Sequence, residues 1–108
     1  MHGYIRHIPV GEDAIPGESA WARCSVPVNV YQNGAFWPTP LGWYAATVAH
    51  ADADFAAEML ADFLQHTREN AQKGTPFEWM NDTGEEFSGL RYGTSGVLPY
   101  VGALQFLQ

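Results

Sequence analysis

The chain has a single cysteine, only five lysines and arginines together, and no long apolar run. Cys24 alone can form no intrachain disulfide, and a thiolate zinc site would lack its other ligands. It reads as a small buried hydrophobe. Five basic residues against twelve acidic ones leave a net charge of −7, too little positive charge for a nucleic-acid backbone or an anionic membrane. No apolar stretch approaches the ~18 residues of a spanning helix, and the first residues lack the basic-then-apolar pattern of a secretory signal. Charged residues make up 16% of the chain, against roughly 25% in an average globular protein. Such a surface is built to meet other protein, or the sequence is one piece of something larger.

Apolar residues are abundant, at 46% of 108, and Trp21, Trp37, Trp43 and Trp79 supply four indoles. That length holds one domain or fragment, residues 1–108. Residues 1–38 form a loop-rich segment, because Pro9, Pro16, Pro27 and Pro38 with Gly3, Gly11, Gly17 and Gly34 interrupt any long helix. Within it, Tyr4–Ile8 suits a short extended piece, and Ser25–Tyr31 runs extended toward an Asn33-Gly34 turn.

Residues 39–74 read as a helical hairpin. Thr39 caps a first helix that starts at Pro40 and runs to about His50. Asp52 caps a second, in which Phe55, Met59 and Phe63 with Ala56, Leu60 and Leu64 form one apolar stripe. Glu58, Asp62, Arg68, Glu69 and Lys73 take the other face, and Gly74 suits the C′ position. Residues 75–93 read as a loop of the kind that carries active-site groups, or a short hairpin over Thr75–Arg91, turning at Asp82-Thr83-Gly84. Residues 94–107 form a last helix, capped by Ser95, with Pro99 near its first turn. This helix is apolar nearly all round and so demands cover on several sides. The expected class is all-α: an αα-hairpin plus a further apolar helix behind a loop-rich N-terminal third.

The chemistry concentrates in Phe77-Glu78-Trp79-Met80-Asn81-Asp82-Thr83-Gly84-Glu85 and in Tyr31-Gln32-Asn33-Gly34-Ala35-Phe36-Trp37-Pro38. A carboxylate between aromatic rings suits a sugar, whose C–H face stacks on a ring while an acid or base works at the anomeric carbon. Glu78 is the candidate catalytic group, and a base there would be kept ionised by a cation such as Arg91 or Arg6. Trp37, Trp43, Trp79 and Tyr31 are candidate stacking faces, and Gln32 and Asn33 candidate hydroxyl partners. Against these stand plainer readings: turn chemistry for Asn33-Gly34, core packing for Trp43, and solvation for Asp82, Glu85 and Glu86. His2, His7, His50 and His66 have no metal-ligating spacing, and His66 reads as a solvated or helix-end residue. No metal or cofactor is expected. Gly93-Thr94-Ser95-Gly96-Val97 misses the nucleophile elbow, because Val97 stands where glycine is required.

Three pieces in order complete the pattern. Gln32-Asn33-Gly34 precedes Phe36-Trp37-Pro38 and a helix bearing Trp43-Tyr44, then comes Phe77-Glu78-Trp79, then Tyr92-Gly93-Thr94-Ser95-Gly96 opening an apolar helix. Over residues 30–107 this order resembles the C-terminal end of six-hairpin glycosidases, the (α/α)6-barrel hydrolases that include trehalases, processing α-glucosidases and α-rhamnosidases. The resemblance implies a partial (α/α)6 toroid, with Glu78 as the general base of inverting glycoside hydrolysis and Tyr92 at the substrate site. It also implies a general acid from an upstream segment that this chain does not contain, so the chain alone is expected to be inactive. Met80 departs from the trehalase and glucosidase pattern, which has tyrosine there. Expected partners are a carbohydrate and either the rest of a larger catalytic domain or a second copy meeting it through the apolar helices. The rival classes are a non-catalytic carbohydrate-binding or protein-interaction module, a phosphorylase or lyase, and a small helical domain whose aromatics are all core. Phosphorylases of this kind typically lack the base, so Glu78 speaks against one.

Overall fold

The computed structural model describes residues 2–6, 8, 26–81, 83, 87–91 and 93–106. Its elements in chain order are β1 (Ile5–Arg6), β2 (Phe36–Trp37), α1 (Leu41–Val48), α2 (Ala53–Glu69), a 3-10 turn (Ala71–Lys73), β3 (Phe77–Met80), β4 (Phe87–Arg91) and α3 (Gly93–Phe106). The four strands form one antiparallel sheet in the order β1-β2-β3-β4. The architecture is therefore mixed α/β, which corrects the expected all-α class and partial (α/α)6 toroid. Of the two readings for the segment 75–93, the structure takes the hairpin: it supplies two paired antiparallel strands. Phe77 and Trp79 favour a pleated surface, and Phe36 joins the sheet opposite Met80 from far away in sequence.

The helix α2 forms as its pattern predicts. Asp52 sits extended at the N-cap and its carboxylate accepts from the Phe55 N–H at 2.9 Å. Gly74 closes the 3-10 turn in the left-handed region at φ 90°. The start of α1 differs. Pro40 takes the N-cap position, and Thr39 lies one residue too early to cap. The Thr39 hydroxyl instead meets that of Ser95 at 3.4 Å. Ser95 is no cap either, because α3 begins at Gly93 and Ser95 is fully buried in its first turn. Ser25–Tyr31 does not run extended over its described part. Asn29 and Tyr31 have φ of 62° and 50°, and Val30 bridges Asn33 across a tight turn.

Tyr4, Leu41, Phe63 and Met80 make the buried core, with Ile5, Phe36, Met59 and Leu60 packed around it. These residues come from the N-terminal strand, α1, α2, β2 and β3, so one cluster holds sheet and helices together. Met80, at the end of β3, is fully buried in this core. The helix α1 packs against α2 on one side and more extensively against α3 on the other.

Candidate functional site

The strand β2 contributes to both faces of the sheet. Its two residues alternate, so Phe36 lines one hollow of about 590 Å³ and Trp37 lines another of about 340 Å³. The adjacent α1 residues divide the same way, Tyr44 to the larger hollow and Trp43 to the smaller.

Glu78 stands in the smaller hollow together with Trp37, Tyr31 and Gln32. Trp43 joins them, and Thr39 and Pro40, which the sequence does not point to, complete it. Its helical position favours core for Trp43 over stacking, yet the residue is 54% exposed. It occupies the first turn of α1, and that turn begins where β2 ends, so the ring stays beside the sheet. The short link through Pro38-Thr39-Pro40 was the available signal. Trp37 is by contrast 8% exposed, its indole N–H donating to the Tyr31 carbonyl at 3.2 Å. The Tyr31 ring meets the Trp37 ring edge-on, with centroids 4.9 Å apart. The positive φ of Tyr31 and of Gly34 (94°) folds this turn back over the strand. The result is one fixed ring, one exposed ring and a tyrosine around a carboxylate.

The backbone has an irregularity at Glu78. Phe77 pairs with Arg91 and Trp79 with Ser88, so this one β3 residue faces two of β4, Gly89 and Leu90. Such bulges twist the ladder locally and re-aim a side chain. The half-buried Glu78 carboxylate makes no hydrogen bond or ion pair with the described residues. Arg6, offered as its counter-cation, lines the larger hollow and lies over the Phe36 ring, 4.6 Å from its centroid. Arg91 is a β4 residue, in register with Phe77 rather than Glu78.

Other expected members of the site fall elsewhere. Asn33 is 5% exposed and holds the turn, its side-chain amide donating to the Val26 carbonyl at 2.9 Å. Trp79 is half-buried on β3 and does not line the Glu78 hollow. Tyr92, Asp82, Glu85, Glu86, His7 and Cys24 lie outside the described residues.

His66 is buried, not solvated. It stacks on His2 with centroids 4.5 Å apart and meets Tyr4 edge-on. Burial pushes its pKa below the ordinary 6.5, the nearby His2 adds to this, and Asp62 and Glu69 oppose it. Among the described residues no group of three His, Cys, Asp or Glu side chains could hold a metal ion.

The site can thus stack an uncharged ring and present one carboxylate to it. Among the described residues Glu78 is the sole carboxylate lining the hollow, whereas inverting hydrolysis employs two, about 6.5–9.5 Å apart. No protein-family model matches the sequence, and searches of curated proteins and of solved structures return no match.

Proposed function

We propose that the Glu78 hollow is a sugar subsite of a glycoside hydrolase, in which Glu78 acts as general base for inverting hydrolysis of a glycosidic bond. The observation that supports this is the convergence of Glu78, whose carboxylate has no hydrogen bond or ion pair among the described residues, with Trp37, Trp43, Tyr31 and Gln32 on a hollow of about 340 Å³, a size within the usual small-ligand range. A pyranose stacks its apolar face on an indole, and Gln32 and Thr39 offer hydrogen bonds to its hydroxyls. Water between the anomeric carbon and Glu78 loses its proton to the carboxylate as it attacks. The protonated leaving group requires an acid from another polypeptide segment.

The described residues put no second carboxylate in this hollow, and this favours a second reading, a non-catalytic carbohydrate-binding module. Glycosyl fluorides separate the two, because fluoride departs without an acid and leaves only the base to be supplied. The expected result is saccharide binding together with fluoride release, with release falling at least tenfold in Glu78→Gln, about 1.4 kcal/mol of barrier. Saccharide binding without Glu78-dependent fluoride release makes the chain a binding module. No binding by any member of a saccharide panel removes both readings.

A further inference from the structure

The larger hollow lies between the first strand and the second helix, and its polar groups have a different character. One wall is β1 with the residues leading into it. The other is a face of α2 on which Phe55, Glu58, Met59 and Asp62 recur at i, i+3, i+4 and i+7. Phe36 and Tyr44 close the space between.

Two charges of opposite sign line this space without meeting. Arg6 stacks on Phe36 at 4.6 Å and has no carboxylate within ion-pair distance among the described residues. Stacking occupies the face of a guanidinium and leaves its in-plane N–H donors available for two-pronged contact with a carboxylate. Glu58 on the facing wall is exposed and likewise unpaired, whereas Asp62 is engaged by His2 at 3.3 Å. Between the charges, Phe55 and Tyr44 are each 46% exposed and Met59 is half-buried. An anion receptor, an apolar floor and a cation receptor therefore share one hollow of about 590 Å³, a volume within the range of small-molecule sites.

We propose that this hollow binds a zwitterion with an apolar body, the chemistry of a short apolar peptide with free termini. Its carboxylate pairs with Arg6, its ammonium with Glu58, and its side chains rest on Phe55, Tyr44 and Met59. The site is independent of the sugar reading, since no described residue lines both hollows.

Calorimetric titration with leucyl-phenylalanine, its N-acetyl form and its C-terminal amide tests the assignment. The free dipeptide binds, and each blocked form binds at least tenfold more weakly. In Arg6→Gln the free and amidated forms become equal, and in Glu58→Gln the free and acetylated forms become equal. Glu78→Gln leaves all three affinities unchanged, which keeps this result separate from that of the sugar site. Blocked forms that bind as tightly as the parent, or a free dipeptide that does not bind at millimolar concentration, overturn the proposal. Should Arg6→Gln fail to fold, the exposed Glu58 gives an arm that decides alone.

Discussion

Gly42 and Gly102 meet backbone to backbone where α1 crosses α3. A Cβ placed on Gly42 would stand 2.8 Å from the Gly102 Cα, and one on Gly102 would fall among the Gly42 main-chain atoms. Alanine improves intrinsic helix propensity by up to about 1 kcal/mol over glycine, but here the obstructing atoms are backbone and cannot swing aside. Separating two packed helices costs more than that gain. Gly42→Ala and Gly102→Ala should each destabilise the fold by about 2 kcal/mol or more, read from urea midpoints at constant slope. Unchanged midpoints would mean that the two helices do not cross this closely.

The same crossing fixes where Trp43 stands, and the two indoles of the smaller hollow should behave differently. Trp37 is 8% exposed and hydrogen-bonded, so Trp37→Ala should remove about 3 kcal/mol or more of stability. Trp43 is 54% exposed, so Trp43→Ala should shift the urea midpoint little. It should still weaken saccharide binding at least tenfold, a loss of about 1.4 kcal/mol. A Trp43→Ala chain that unfolds easily, or binds sugar undiminished, would return Trp43 to the core role its sequence position suggested.

That contrast marks what the sequence discloses. Local signals are legible: the Asp52 cap, the apolar stripe of α2 and the left-handed Gly74 depend only on near neighbours. The gathering of Glu78, Trp37, Tyr31 and Gln32 was legible too, as a coincidence of residue types that suit one ligand. The sheet was not, because a two-residue strand at Phe36–Trp37 carries no periodicity and becomes a strand only by pairing with Ile5–Arg6 and Met80. Ser95 and Thr39 look like caps in sequence, yet each hydroxyl has the other as its partner across 56 residues. His66 does lie in the last turn of its helix, one of its two readings, but its burial was hidden for the same reason. Its burial comes from His2 and Tyr4, which lie on the far side of the chain.

His66 gives the fold an acid sensitivity with a definite sign. Burial first, and then the adjacent His2 ring, lower its folded pKa below 6.5, so the unfolded chain takes up the proton more readily. Stability therefore increases with pH across this window. It is undiminished above 6.5, falls as pH drops below that value, and stops falling once the folded-state pKa has been passed. Urea midpoints measured on both sides of 6.5 should show this loss in the parent. His66→Gln should be less stable at neutral pH but flatter, and His2→Gln should reduce the slope by removing the stacked neighbour. An equal slope in His66→Gln would place the acid sensitivity elsewhere.

Tyr4 imposes the opposite limit at high pH. Its phenol is 2% exposed, and burial pushes its pKa from 10.0 to about 12, with the backbone of Phe77 pulling the other way. Between those two values the unfolded chain has released the phenolic proton and the folded chain has kept it. The folded state then binds more protons, so stability falls as pH rises through this interval and levels off beyond it. A difference of about two pKa units corresponds to roughly 2–3 kcal/mol. Other groups titrate in the same range, so the measurement is the difference between the parent and Tyr4→Phe at each pH. Phenylalanine keeps the ring against Phe63, 5.6 Å between centroids, and removes only the ionisable oxygen. The two chains should differ modestly at neutral pH, and Tyr4→Phe should become relatively more stable as the medium passes pH 10.0. Parallel curves throughout would show that the phenol ionises as readily in the fold as out of it, and that the core around Tyr4 admits water.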